Sequence, residues 1–490
     1  DESWSDAGNY VEISGGTFSS AVDEDYCADG YAATQKGGQY VVEEDPTASF
    51  VAQVNDGTKY QTLQAAINAA GANDTVKLLA DVTGSITIAA GETVVLDLNG
   101  QTLTNTDGNH TITNNGTLTI QDTSTSGAGI VDNVSHGQAV LFNHGTVTIG
   151  AGTYTRSQET QDPDGTNSWY TIVNKGDMTI NGGTFTTGDG TSAKLGNRSS
   201  LIRNGDENDN TGVTLTITDG TFTSGANVLK NESGSTIESI SGGMFTMDNR
   251  EVSWSGGNNV IQNNGTITSI TGGTFRALGD GLAVNGDTNY FRHGIYNVGT
   301  IRSINNMTLT MEGTQNRLIR AAGTSEMKIE SGSYQLLEPT SDSNFFIVKD
   351  TGADINIAGG SYSSIVPQEC CDNGFVPVTT VDDNGMYTVT EEADEPGGTT
   401  VTGLTISNSS LTLSVGGAAQ LTATVTTTPA AGSSTVSWES SNTSFAVVDS
   451  TARVTAVGAG TATITVTAGN LSRSCVVTVL APVTPSDPDD

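Results

Sequence analysis

Between residues 110 and 362 the apolar and polar positions repeat as one phrase. A short apolar strand ends in Asn, a turn with Gly follows, then a strand of Thr-apolar-Thr-Ile type, then Gly-Gly-Thr-Phe. The Asn recurs as Asn114, Asn143, Asn174, Asn204, Asn231, Asn263 and Asn297, and Ala321 and Asp350 occupy the same slot further on. A phrase of about thirty residues cannot bury its own apolar side chains, so successive phrases must stack on one another. Stacking at the strand spacing of about 4.8 Å puts like residues over like and predicts a parallel β-helix. Alternation points Leu118 and Ile120, Val147 and Ile149, Met178 and Ile180, Leu215 and Ile217, Met327 and Ile329, and Ile355 and Ile357 inward. Tyr154, Phe185, Phe222, Phe245, Phe275, Tyr334 and Tyr362 are expected to stack inside along the axis. The Asn column is expected to be a structural ladder bonded to the next coil. Gly182, Gly183, Gly242, Gly243, Gly272 and Gly273 mark corners with positive φ. The isoleucines at 237 and 240, 267 and 270, and 301 and 304 lie three apart and not two, which predicts a bulge stacked through three coils.

A solenoid needs caps on its exposed ends. Tyr60, Leu63, Ile67 and Ala70 repeat at helical spacing, so a capping helix is expected near 61–70 with Gly71 as its stop, and strands at 86–88 and 94–98 begin the first coil. At the other end GGSYSSIVPQECCDNGF (359–375) matches GGTFSSAVDEDYCADGY (15–31) and sets Cys371 over Cys27. Residues 1–44 therefore read as the closing coil of a preceding module, either docked on a neighbouring subunit or folded back on their own chain. Residues 45–388 form the main β-helix, and the acidic, Pro- and Gly-bearing segment 389–400 is a linker. Period-two strands over 401–480, with Trp438 as core anchor, predict a β-sandwich, followed by a tail at 481–490.

The 490 residues carry a net charge of −35, which repels phosphate backbones and argues against nucleic acid as a partner. No run of about eighteen apolar residues exists, so no membrane insertion is expected in this segment. The opening Asp-Glu-Ser-Trp lacks a basic region followed by an apolar one, as in a mature form or an excised piece. Cys27, Cys370, Cys371 and Cys475 are too few for a disulfide scaffold and show no zinc spacing.

The phrase KYQTLQAAINAAGANDTVKLLADV, then LDLNGQTLT and iterated GGTF, resembles the pectin-lyase-like right-handed β-helix modules of surface proteins of gut Gram-positive bacteria, over residues 1–388. Residues 401–480, through LTISNSSLTLSVGGAAQLTATV and VSWESSNTSFAVVDSTARVTAVGAGTATITV, resemble the group 2 bacterial immunoglobulin-like domain of intimin and invasin type. These resemblances imply an all-β chain, extracellular and held at the cell surface or cell wall, with the immunoglobulin-like part as spacer and the β-helix as an adhesive or structural part.

β-Helices also host polysaccharide lyases and glycosidases, which need a Lys or Arg base near calcium-binding Asp, or paired carboxylates. Neither pattern is present. Asp162, Asp164, Asp206, Glu207 and Asp209 fall in loops, and His110, His136, His144 and His293 have no Ser or Cys partner at triad spacing. No catalytic residue, metal or cofactor is therefore expected. DENDN (206–210) is the one segment with closely spaced oxygen ligands for calcium, and it lacks a full template. Outward Thr columns such as 117–119 and 146–148 suggest an ice-binding plane, but the array decays to TIE, TIR, EMK and DIN.

Length variation concentrates between the aromatic residue and the next Asn, the place where recognition residues sit on a rigid scaffold. Trp169, Tyr170, Trp254, Tyr290 and Phe291 lie there with rings for sugar faces, and Arg292 offers a fork for an anionic glycan. Segment 244–320 adds Arg250, Arg276, Arg302, Arg317 and Arg320 to a chain that is otherwise acidic. The expectation is a non-catalytic surface adhesin or stalk, with a host glycan, a host protein or other cell-surface copies as partners. The alternatives are a homo-oligomeric filament subunit using residues 1–44 as a complementing coil, and a polysaccharide lyase or glycoside hydrolase.

Overall fold

The computed structural model describes residues 12–28, 30–135, 137–157, 170–188, 200–208, 210–248, 258–279, 291–338, 345–392, 400–428 and 434–481. The chain divides into two compact units after Glu391. The first unit is a parallel β-helix built from three long sheets of 13, 10 and 13 strands. We call them the aromatic, asparagine and threonine sheets after the residues that characterise their columns. Each coil contributes one strand to each, as with Ile172–Asn174, Asp177–Ile180 and Thr184–Thr186. Register holds from coil to coil: Ile149 lies on Ile180, Asn143 on Asn174 and Tyr154 on Phe185.

The interior follows from that register. The inward aliphatic columns are buried in one continuous core. Ring centroids from Tyr154 through Phe185, Phe222 and Phe245 to Phe275 are 4.8, 4.9, 4.5 and 4.5 Å apart and nearly parallel, because the strand spacing fixes the ring spacing. Leu309 then interrupts the stack, sitting between Phe275 and Tyr334 in register. Tyr334 and Tyr362 resume it at 5.1 Å.

The seven ladder asparagines are all fully buried. Each Nδ2 donates to the next Oδ1 at 2.7–2.8 Å, from Asn114 to Asn297. The same amides reach backbone carbonyls of the next coil, such as Thr146, Thr214 and Thr266. A buried amide would cost about 1–3 kcal/mol if unpaired, and the column supplies its own partners.

The expected bulge is present. Thr216 pairs with Ser239, leaving Glu238 as the extra residue, and the offset persists through the Ile240–Ile270 and Ile270–Ile304 bridges until Ile304 returns to register with Ile329. The paired glycines divide their roles. Gly183, Gly243 and Gly273 have φ of 104°, 97° and 95°. Gly182, Gly242 and Gly272 have ordinary φ, but a Cβ there would lie 2.4–2.7 Å from a carbonyl of the coil below.

The capping helix is Leu63–Ala69, capped by Thr62 and burying Leu63, Ala66 and Ile67. Its stop differs from the expectation. Ala70 turns extended at φ −68° and ψ 131°, and Gly71 is not left-handed; its N–H bonds the Asp74 carboxylate instead. At the far end Tyr387–Glu391 pairs antiparallel with Ser361–Tyr362 and Phe375–Pro377, so Val389–Glu391 are strand and not linker. Val389 is buried in the core, which explains its order. All four cysteines are free thiols.

The second unit is a sandwich of short sheets closed by the strand Leu471–Leu480, which pairs with Gly460–Ala468 and, in parallel, with Ser410–Ser414. Its core is aliphatic, around Leu421, Val454, Ile464, Cys475 and Val477. Trp438 is only half-buried and bridges two apolar clusters, so it is not the central anchor that its size suggested.

Candidate binding face

The outward side of the asparagine sheet differs from the rest of the solenoid. The residue between the inward aliphatic and the ladder Asn points away from the core, giving the column Thr113, Phe142, Val173, Arg203, Lys230, Gln262, Tyr296 and Arg320, of which Val173 and Arg203 are covered and the rest are half-buried. On the threonine sheet the matching column begins Thr119, Thr148, Thr179 and Thr216 and ends Lys328 and Asn356. Arg302 also lies on that sheet and Arg276 on the aromatic sheet, but rings and cations occur side by side on the asparagine sheet. In sequence, the segments 158–169, 189–199, 249–257 and 280–290 each separate an aromatic-sheet strand from an asparagine-sheet strand, and all four lie outside the described residues.

Three clusters occupy it. In the first, His110 stacks on Phe142 at 4.4 Å and His144 meets the same ring edge-on at 4.7 Å. His110 Nδ1 accepts from the Ala139 N–H, and burial holds the pKa of both histidines below the usual value. Lys175 Nζ lies 5.9 Å from the Phe142 centroid and pairs with Asp206 at 2.6 Å. The hydrogen bond from Lys175 brings the Asp206 pKa down to about 2.

In the second, Arg203 lies over the Tyr170 ring at 5.2 Å and bonds Glu232 through Nε at 2.7 Å. Lys230 reaches Glu232 at 2.8 Å and the Tyr170 hydroxyl at 3.3 Å. Burial works against the Lys230 charge, but Glu232 and Tyr170 outweigh it and hold its pKa above the ordinary lysine value.

In the third, the Arg317 guanidinium sits 3.8 Å over Phe291, Arg320 lies 5.4 Å from Tyr296, and Arg320 pairs with Asp350 at 2.8 Å. His293 lies 5.1 Å from Tyr296. It is 6% exposed, and among the described residues neither ring nitrogen has a hydrogen-bond partner. Burial, reinforced by Arg317 and Arg320, brings its pKa down to about 3, so the imidazole is neutral at pH 7.

Of the six residues expected from sequence to touch a ligand, Tyr170 and Phe291 fall on this face. Trp169, Trp254 and Tyr290 lie outside the described residues, as do Arg250, Asp162, Asp164, Asp209 and His136. Arg292 requires a correction. It is fully buried, and its guanidinium donates to the carbonyls of Leu278, Gly279 and Glu312 and to Asn316 Oδ1. It braces the corner between two coils and presents nothing to solvent. In DENDN the Asp206 carboxylate is taken by Lys175 and the Asn208 N–H, and Asn210 bonds the Asp206 and Ser233 carbonyls. Sequence reading missed Phe142, Lys175, Lys230 and Tyr296. The signal was available in the middle letter of LFN, IRN, LKN and IYN read down the column.

A parallel β-helix joined to an immunoglobulin-like sandwich defines a modular all-β chain. Residues 400–479 match the family model described as bacterial Ig-like domain (group 2), a domain typical of bacterial surface and extracellular proteins. No curated protein matches the chain. Among the described residues no helix is long and apolar enough to cross a membrane.

Proposed function

We propose that the chain is a non-catalytic module of an extracellular bacterial surface protein, and that the outward face of the asparagine sheet binds a glycan. One observation carries this reading: among the described residues the contacts between a cation and an aromatic ring all lie on the asparagine-sheet side of a protein with net charge −35, whereas Arg276, Arg302 and Lys328 on the other two sheets have no ring beside them. Rings offer flat surfaces to sugar C–H groups, and Arg and Lys offer fixed donors to hydroxyls or carboxylates. Support for a non-catalytic role comes from the carboxylates. Asp206, Glu232 and Asp350 are each engaged with a cation, which leaves them poorly placed as general acid or base. A host or mucin glycan is the proposed ligand class, in keeping with an adhesin or stalk on a Gram-positive gut bacterium.

The test is a glycan array with the whole chain and two variants. Tyr296→Ala with Arg320→Ala should lower binding at least about tenfold, as loss of a stacked ring and a forked donor implies. Thr148→Ala on the threonine sheet should not change it. Equal binding by all three proteins would remove the face as the site, and release of reducing ends or unsaturated products from any bound polysaccharide would replace the binding reading with an enzymatic one.

A further inference from the structure

The two copies of the internal duplication have the same local fold in different surroundings. In the copy at the end of the β-helix, Ile357 bridges Cys371 in parallel, a short turn of helix spans Gln368–Cys370, and Ser361–Tyr362 and Phe375–Pro377 both pair antiparallel with Tyr387–Glu391. In the first copy Ile13 bridges Cys27 in parallel, the short turn spans Glu24–Tyr26, and Gly16–Phe18 and Tyr31–Lys36 both pair antiparallel with Gln39–Glu44. Even the thiols agree: Cys371 Sγ points to the Pro367 carbonyl and Cys27 Sγ to the Asp23 carbonyl, each at 3.8 Å.

The surroundings differ on one side. At the end of the β-helix, Tyr362 pairs in parallel with Tyr334, stacks on its ring at 5.1 Å and receives the edge of Phe346 at 5.7 Å. Ile357, Tyr362, Val366 and Cys370 are consequently at most 1% exposed. Their counterparts Ile13, Phe18 and Val22 are only partly buried, and Tyr26 is 55% exposed. Gly16–Phe18 is the edge of a three-stranded sheet that contains no strand of the β-helix among the described residues. Its outer edge is the side on which Tyr362 meets Tyr334 in the other copy.

We propose that residues 12–44 are a docking module whose occupant is the open end of a second parallel β-helix of this coil type. That end would supply a parallel edge strand for Gly16–Phe18, a ring to stack on Phe18 and apolar surface for Val22 and Tyr26, as residues 332–357 do for the other copy. Strand pairing gives affinity and the ring pocket gives register, the logic of recognition by strand addition. A second chain whose residues 359–391 stay seated has no such end free, so the intact chain should not polymerise by this route.

Two changes to the full chain test this. In the first, residues 13–44 replace 357–391 at the end of the β-helix. The chimaera should remain folded with a melting temperature within about 5 °C of the parent, whereas the chimaera carrying Phe18→Asp and Tyr26→Asp in the transplanted segment should melt well below it. In the second, residues 359–391 are deleted, and sedimentation should show head-to-tail oligomers that disappear when Phe18→Asp and Tyr26→Asp are introduced in residues 12–44. A chimaera that is no more stable than its doubly substituted form overturns the proposal. So do oligomers indifferent to those two substitutions, or a folded deletion variant that stays monomeric. If the deletion variant fails to fold, the pair of chimaeras decides alone.

Discussion

Replacing Asn204 by Ala cuts the ladder at its middle rung. Asn204 accepts from Asn174 Nδ2 at 2.7 Å and donates to Asn231 Oδ1 at 2.8 Å and the Thr236 carbonyl at 3.2 Å. The neighbours are partly compensated, since Asn174 still reaches the Thr214 carbonyl and Asn231 Oδ1 still accepts from Ser235. Three buried hydrogen bonds at about 0.5–1.5 kcal/mol each give an expected loss of about 2–4 kcal/mol. Coils touch mainly their neighbours, so the loss should be local. Hydrogen exchange should accelerate in Ile202–Asn204 and the strands above and below it, with little change in the capping helix. Asn297→Ala should cost a similar amount, because Asn297 accepts from Asn263 and donates to the Gly299 and Glu326 carbonyls, although it has no asparagine beyond it. Asn204→Asp adds a pH test. Its acid would be buried against the Asn231 and Thr236 oxygens, so its folded pKa would rise. The variant should approach parental stability below about pH 4 and lose it as pH rises. A cost for Asn204→Ala below about 0.5 kcal/mol, or exchange that accelerates equally along the whole β-helix, would refute the ladder as a local stabilising column.

Phe222→Ala should destabilise the coil stack by about 3–5 kcal/mol, while Phe222→Leu should cost much less, since Leu309 already fills that column two coils beyond Phe245; urea unfolding separates the two. Lys175→Met should move the Asp206 titration up from about 2 toward the ordinary carboxylate value, read by carboxyl NMR, and an unmoved midpoint would contradict the pairing. His293 should stay neutral down to about pH 4. Its folded pKa lies below the unfolded one, so it costs stability as pH falls from about 6.5 toward 3, and His293→Gln should lessen that acid sensitivity in unfolding measured across this range.

Period and register were legible because they follow from geometry. A fixed spacing of aliphatic, Asn and aromatic positions admits one stacking, and even the displaced isoleucines at 240, 270 and 304 report the bulge that accommodates them. The site was less legible because its meaning lies between coils. Phe142, Arg203, Lys230 and Tyr296 look like unrelated surface residues along the chain and become one column only when strands are stacked. Arg292 misled for the opposite reason. Charge suggests solvent, but a corner that turns the Leu278 and Glu312 carbonyls and the Asn316 amide oxygen inward can bury a guanidinium by accepting from its Nη groups. The Gly71 stop failed because Ala70 turns extended and Asp74 takes the next N–H, a side-chain solution that composition does not reveal.

Stacking itself is open to direct measurement. Thr117 and Glu326 stand in one threonine-sheet column, linked through Thr146, Asp177, Thr214, Thr236, Thr266 and Thr300. Seven steps of about 4.8 Å place their backbones about 34 Å apart. Nitroxide labels at these two positions, in a chain whose native cysteines are changed to Ser, should give one narrow distance distribution near that value by pulsed electron paramagnetic resonance. A broad distribution, or a separation far from it, would show that the coils do not form a continuous column.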